Sequence, residues 1–355
     1  MILPETYFHA PSTRVVTETM TQHNVLALID LPHNTFRPFN NAKCVAIIFQ
    51  KNRPQQEHIT MVAAEEMGHN HQGKPLFRYN HVTHSVSEEL WDDLALALDE
   101  VRGRRAAEYT FAVSAEQVRA EGIYIPRYYW PHLTQNLELE TTVDVEWKTI
   151  RDFIGSGAVK QRAGHGSPPA QYKGKGQYPY IRVKDIINWE IYRDPNAQIP
   201  RVEFERLTRK YPLLFEDVVY VSRGSYRIGD VAIVGPDDEN VALTREIQVL
   251  RVIKNNKIGL SPYYLLYLLS HVVVAKQTKA RVFMDTTLPN IGERYLDIKL
   301  PWSVDAKERE RISEKVRIVL AGKWSAMANV RSLLSEIRKP LAGDPESLLE
   351  DEVAQ

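Results

Sequence analysis

Two apolar runs stand out near the start of the chain, residues 25–31 and 44–49. Each is nearly continuous, the pattern of a strand covered on both faces, so together they predict part of an α/β sheet. Two prolines, Pro32 and Pro38, and two asparagines, Asn40 and Asn41, exclude regular structure between them. Upstream, residues 12–23 predict a short helix capped by Ser12 or Thr13. Residues 55–75 are polar and read as a loop. A capping box formed by Ser85 and Glu88 predicts a helix from Ser85, with Leu90, Leu94, Leu98 and Val101 on its apolar face and Gly103 closing it.

The pattern changes near residue 125, where Tyr124, Tyr128, Tyr129, Trp130, Pro126 and Pro131 form an aromatic connector. Residues 147–154 lead into a long glycine-rich, basic loop over 155–178. Strand-like pieces follow at 180–183, 218–222, 231–234 and 243–253. A helix is predicted over 262–275, since proline is tolerated in a first helical turn. A long helix is predicted over about 306–338. Along it Leu320, Trp324, Met327, Val330, Leu334 and Ile337 recur at spacings of three and four, a heptad-like stripe. The stripe either packs on this chain's own body or pairs with a second helix, and its length favours pairing. Every charge after Lys339 is acidic, which predicts a disordered tail.

The expected organisation is therefore 1–125, 126–305, the helix 306–339 and the tail 340–355. The fold class expected is α/β and α+β: part of a sheet, then a mixed β-rich domain with a long terminal helix. No internal repeat is visible.

Composition adds exclusions. With 43% hydrophobic and 25% charged residues in 355, global disorder is excluded. Lys plus Arg and Asp plus Glu are 45 each, so a whole-chain polycation is excluded, although local basic patches are not. The one cysteine, Cys44, excludes an intramolecular disulfide and a Cys-rich zinc site and fits a reducing compartment. With no long apolar span and no basic-then-apolar leader, the expectation is a cytoplasmic protein without membrane contact.

His69 and His71 lie two apart, but without cysteine or a nearby acidic motif they read as a glycine turn and not a metal site. Between residues 151 and 233 there are fourteen basic and nine acidic side chains. Lys160, Arg162, Lys173 and Lys175 are interleaved with glycine and with Gln177 and Tyr178. Such a mixture suits duplex DNA, because cations neutralise phosphates while Arg, Gln and Tyr reach base edges. Arg223, Ser225, Tyr226 and Arg227 occupy a short turn between two strands, and Thr286 and Thr287 a third candidate loop. The competing reading pairs Arg223 or Arg227 with Asp217 or Asp230.

Met1-Ile2-Leu3-Pro4, Ala27-Leu28-Ile29-Asp30-Leu31-Pro32-His33-Asn34-Thr35-Phe36-Arg37-Pro38 and Ala42-Lys43-Cys44-Val45-Ala46-Ile47-Ile48 together resemble the C-terminal end of an adenine-specific DNA methyltransferase of the type I restriction–modification class. So does Gly68-His69-Asn70-His71-Gln72-Gly73-Lys74-Pro75, which resembles the segment that follows there. The second half resembles one target-recognition domain of a type I specificity subunit. It has a Trp-led strand and a Gly-rich loop, then Tyr178-Pro179-Tyr180-Ile181-Arg182-Val183-Lys184-Asp185-Ile186, Asp217-Val218-Val219-Tyr220-Val221 and Arg223-Gly224-Ser225-Tyr226-Arg227-Ile228-Gly229. Leu288-Pro289-Asn290-Ile291, Ile298-Lys299-Leu300-Pro301 and a terminal helix complete the order.

This resemblance implies sequence-specific recognition of double-stranded DNA, in restriction–modification or phage defence, that positions an adenine for methyl transfer. It also implies S-adenosylmethionine in the complete enzyme. Neither the family's glycine-rich cofactor loop nor its Asn/Asp-Pro-Pro-Tyr/Phe motif is present, so no catalytic residue is assigned and the chain alone is expected to bind no cofactor and to be silent. It is expected to be a split subunit or a truncation that works with a methyltransferase subunit or a missing N-terminal half. The resemblance makes Phe36 a candidate to stack on a flipped base, against the alternative that Phe36 or Phe39 plugs the sheet edge. Lys43 is a candidate phosphate contact. A homodimer through the terminal helix is a further expectation. Two other readings stay open: the tail of a single-chain active methyltransferase, and an adaptor subunit that binds no DNA.

Overall fold

The computed structural model describes residues 1–9, 19, 22–134, 144–285 and 288–337. It is a mixed α/β chain of several small sheets ending in a long helix. The first half carries β1 (Ile2–Pro4), β2 (Asn24–Asp30), β3 (Cys44–Gln50), β4 (His58–Ala63), β5 (Phe77–Asn80), β6 (Ser85–Leu90) and β7 (Thr110–Ser114). Five of them form a sheet in the order β1-β3-β2-β4-β7. β2 and β4 run parallel, Leu28 beside Met61, and the other pairs are antiparallel.

The runs at 25–31 and 44–49 are strands, as their pattern predicts. Their coverage is one-sided at the outer end: Val25, Leu28, Val45 and Ile47 are buried, while Ile48 and Phe49 are exposed. Ile59, Met61 and Val113 continue the buried face, closed by Phe8, Val118, Ile125 and Phe283.

Two local expectations in the first half fail. Residues 55–75 do not form only a loop, because β4 occupies 58–63; its alternation of His58, Ile59, Thr60 and Met61 is the period-two signal hidden by polar flanks. The helix from Ser85 is replaced by β6, which pairs antiparallel with β5, Tyr79 facing Val86. The Asn80 side chain accepts from the backbone of Val82 and Thr83 and makes the turn, so the backbone of this segment is used across the hairpin. The helix begins at Asp93–Val101, where Asp92 caps it by accepting from Ala95 at 3.1 Å. Its inward residues are Asp93, Ala97 and Glu100, while Leu98 and Val101 face solvent. Glu100 is buried because its carboxylate accepts from the backbone N–H groups of Glu108, Tyr109 and Thr110. Gly103, at φ 69°, closes the helix as expected.

The second half adds β8 (Val145–Thr149), β9 (Val159–Ala163), β10 (Tyr178–Ile181), β11 (Ile186–Ile187), β12 (Glu190–Ile191), β13 (Gln198–Ile199), β14 (Val218–Val221), β15 (Val231–Ile233), β16 (Ala242–Leu243), β17 (Ile247–Val252), β18 (Phe283–Asp285), β19 (Leu288–Asn290) and β20 (Lys299–Ser303). Its main sheet runs β15-β14-β17-β9. The expected loop 155–178 is thus strand at its start, since Val159 is buried and β9 pairs with β17. The run 243–253 is split between β16 and β17 by a turn at Thr244, whose carbonyl accepts from Ile247.

The helix expected over 262–275 is two, Pro262–Leu269 and Val272–Arg281, broken where the His271 side chain caps the second. The first is buried nearly all round and forms the hub of the large core with Phe153, Tyr220, Leu300 and Trp302. The last helix, Ala306–Ile337, seats Val316 and Leu320 on that hub and Trp324 against Phe215. Further along, Val330, Leu333, Leu334 and Ile337 are exposed. The first part of the stripe therefore packs on this chain's own body and the second part does not. Among the described residues no helix is long and apolar enough to cross a membrane. The predicted helix 12–23, apart from its end, and the tail 340–355 lie outside the described residues.

Candidate nucleic-acid interface

β2 and β4 run parallel and both end, at Asp30 and Ala63, on one edge of the first sheet. Ligands of open α/β sheets sit outside such carboxyl ends. Here that edge opens into a cleft of about 750 Å³. One wall carries His33, Lys43, Glu65, Glu66 and Trp130; the opposite wall carries Trp189, Ser225, Tyr226 and Asp230. The cleft therefore lies between the first sheet and the β14–β15 turn.

The sheet wall is held by buried charges. Arg127 donates to Asp30 at 2.8 Å and to Glu5 at 2.5 Å, and Lys43 lies 2.5 Å from Asp30. Burial alone would favour neutral Asp30; Arg127 and Lys43 outweigh it and hold the carboxyl below its ordinary range. Burial opposes the charge on Arg127 too, but Asp30 and Glu5 raise its pKa above the usual guanidinium value. The charge of Lys43 thus already has a buried partner, and its ammonium also donates to the Leu31 carbonyl at 2.5 Å. That pairing disfavours the expected phosphate contact. Beside it, burial first and then Lys43 and Arg37 depress the pKa of His33. Glu66 moves the other way: burial, Asp93 and Glu65 raise its pKa.

The opposite wall is built by tight turns. Between β14 and β15, Arg227 pairs with Asp230 at 2.9 Å and its backbone N–H donates to Ser225. The competing reading of Arg227 is thus the one observed, and Asp217 pairs instead with Arg251 at 2.7 Å. Tyr226 stands 91% exposed at the tip, with the Arg227 guanidinium over its ring. Arg223 makes a bridge to Asn290, and Gly224 donates to Pro289, so β19 lies along the turn. Thr286 and Thr287 lie outside the described residues.

The glycine-rich segment behaves differently. Lys160, Lys173, Lys175 and Gln177 are exposed, and among the described residues the three ammonium groups have no ion-pair or hydrogen-bond partner. Gly176, at φ 113°, lies so close to Ile199 that a Cβ would come within 2.4 Å of its carbonyl oxygen, so the loop is pinned there. Arg162 is half-buried over Tyr211 and donates to the Pro212 carbonyl; burial lowers its pKa. The Tyr178 ring stacks on Phe204 with centroids 4.4 Å apart, so one ring face is occupied by packing. Phe36 is half-buried in the loop after β2 and is not among the residues lining the cleft, whereas Phe39 stands 97% exposed.

The sequence reading missed Asn188 and Trp189. They form the two-residue turn between β11 and β12, both at positive φ, 49° and 68°. Trp189 occupies the position where glycine is preferred, and its indole N–H donates to Ser270 at 2.7 Å. The signal was available: an asparagine after Ile186-Ile187 and before Glu190-Ile191 marks a hairpin. It also missed Asp30 and Arg127 as partners, which no local pattern links. At 69–74 the chain folds as a turn on Asn70, whose side chain accepts from Gln72 and Lys74.

No protein-family model matches the chain, and no curated protein does. Among solved structures it is similar to the type I restriction–modification S subunit from M. genitalium: 17% identity, TM-score 0.36, covering 58% of this chain and 46% of that one. It is similar to the HsdS subunit from Thermoanaerobacter tengcongensis at 14% identity and TM-score 0.32, covering 56% and 43%. It is similar to the type IIG restriction endonuclease BpuSI at 11% identity and TM-score 0.38, covering 89% and 41%. The chain spans less than half the length of each of these three structures.

Proposed function

We propose that this chain recognises a specific sequence in double-stranded DNA for an adenine methyltransferase of a restriction–modification or phage-defence system. The observation that carries the reading is Tyr226, a nearly fully exposed aromatic on a braced turn, facing across a cleft to the carboxyl ends of two parallel strands. An aromatic so placed meets base edges in a groove, while the exposed lysines of the glycine-rich loop neutralise phosphates. The two sets lie near enough to be reached by one duplex. Val183 lies against Gly224 in the turn, and Lys175 is eight residues before Val183, so their separation along the chain is at most about 30 Å, within one turn of B-DNA. The order of motifs from Tyr178 to Pro301 supports the same reading.

In this reading Lys160, Lys173 and Lys175 position the backbone, with Gln177 beside them, and Tyr226 with Ser225 meets the bases. Arg227 braces the turn through Asp230, and the backbone of Arg223 does so through Asn290. The methyl donor, S-adenosylmethionine, is supplied at a methyltransferase subunit or N-terminal half that completes the first sheet. A second copy of this chain, or that subunit, covers Val330, Leu334 and Ile337. The test is titration of random-sequence and selected duplexes across a salt series. Strongly salt-dependent binding with a preferred sequence supports the proposal. Affinity that is absent or insensitive to salt supports the adaptor reading instead.

A further inference from the structure

Strand β18 is tied to the start of the chain by three contacts of Met284. Met284 donates its N–H to Glu5 at 2.9 Å, and its carbonyl accepts from Thr6 at 3.1 Å and lies 3.2 Å from the His9 ring. Arg127, already bound to Glu5 and Asp30, donates to the Val282 carbonyl at 2.7 Å. Phe283 is fully buried in the core of the first sheet, with the guanidinium of Arg127 at 5.3 Å from its ring and that of Arg294 at 4.1 Å. Arg294 in turn donates to the carbonyls of Arg281 and Asn290, spanning the root of the hairpin. On its far side, β19 holds the β14–β15 turn through Asn290 with Arg223, Pro289 with Gly224, and Ile291 with Ser222.

The hairpin of β18 and β19 is therefore a strut. One side is anchored on the ionic cluster at the carboxyl end of β2 and the other carries the turn that bears Tyr226. A guanidinium can serve Asp30, Glu5 and a carbonyl at once because its donors are fixed in a planar fork; a lysine ammonium offers no such fork. We infer that Arg127 is a positioning residue: through the strut it sets where the Tyr226 turn stands relative to the edge of the first sheet. This rests on the DNA reading only for its consequence, since the geometry is measurable without DNA.

The test uses the full chain with spin labels at Thr60→Cys on β4 and Tyr226→Cys on the turn, in a Cys44→Ala background. Without further change, one narrow label-to-label distance is expected. Adding Arg127→Lys, which keeps the charge and loses the fork, should broaden or shift that distance while circular dichroism and cooperative melting show an intact fold. In the unlabelled protein the same substitution should cost about tenfold or more in affinity for the preferred duplex, the size of one lost base contact. An unchanged distance in folded Arg127→Lys overturns the inference. If Arg127→Lys does not fold, the double variant Arg127→Gln with Asp30→Asn carries the test, since it removes the fork together with one of the carboxylates the fork pairs with; an unchanged distance there overturns the inference equally. If the parent binds no duplex yet the distance responds, the DNA reading fails and the positioning role stands.

Discussion

Arg227 and Asp230 close the β14–β15 turn with an ion pair of 2.9 Å, and between them and Arg223 the Tyr226 ring is held out into solvent. A cation committed to its own turn is poorly placed to read a base, whereas the ring it supports has an open face. Tyr226→Ala should therefore cost about 1–3 kcal/mol of duplex affinity, the range for one lost base contact. Arg227→Ala should leave the preferred sequence unchanged and lower affinity less. Binding profiles over randomised duplexes check both, and a base preference that changes with Arg227→Ala but not with Tyr226→Ala would reverse the two roles.

Lys173 and Lys175 flank a glycine, and among the described residues their charges have no partner. Lys175→Ala should weaken binding to all sequences alike and reduce the slope of log affinity against log salt by about one. Lys43→Ala is expected to act differently: it removes a charge from the Asp30 cluster, so the melting temperature should fall while the salt slope stays unchanged. Paired salt titrations and melts of the two variants separate these outcomes.

Val330, Leu334 and Ile337 continue the stripe of the terminal helix beyond the body that buries Leu320. Leu334→Asp should convert a self-associated form, or a complex with a partner subunit, to monomer without lowering the melting temperature. Light scattering combined with melting measures both, and an unchanged mass would show that the exposed part of the stripe is not an interface.

His165 is held neutral between two backbone groups: Leu243 donates to its Nδ1 and its Nε2 faces the Tyr211 carbonyl. Burial lowers its pKa to about 4 from 6.5, against a smaller raising effect of the Tyr211 carbonyl. The unfolded chain therefore takes up the proton first as pH falls. Stability from this site is full above pH 6.5, declines between 6.5 and about 4, and is lost below; the whole effect is at most about 3 kcal/mol. Urea denaturation from pH 7 to 4 should show that decline, and His165→Asn should flatten it.

Asp92 caps the Asp93–Val101 helix, whereas Ser85 lies in β6. Asp92→Ala should cost about 1 kcal/mol, and Ser85→Ala less than about 0.5 kcal/mol. Equal losses in denaturant titrations would contradict the placement of the cap.

By itself the sequence determined what local chemistry can specify. The apolar runs of β2, β3, β14 and β15 fold as strands because burial of their side chains favours one extended arrangement, and the helix from Ala306 follows its 3.5-residue repeat. Proline and glycine marked the turns correctly, including the β14–β15 turn with its two arginines. Only the tertiary structure decided what those elements meet. Ser85 and Glu88 match a helix cap, but backbone pairing with β5 across the hairpin overrides a local preference worth about 1 kcal/mol. The run 262–275 reads as one helix, yet Ser270 and His271 break it: both parts share the large core, and only Ala280, farther along the second helix, joins another. Arg127 meets Glu5 and Asp30 from 122 and 97 residues away, and Met284 meets Glu5 from 279 away. Such pairings have no local signal, because buried charges are satisfied by whichever partners the folded chain brings within 3 Å.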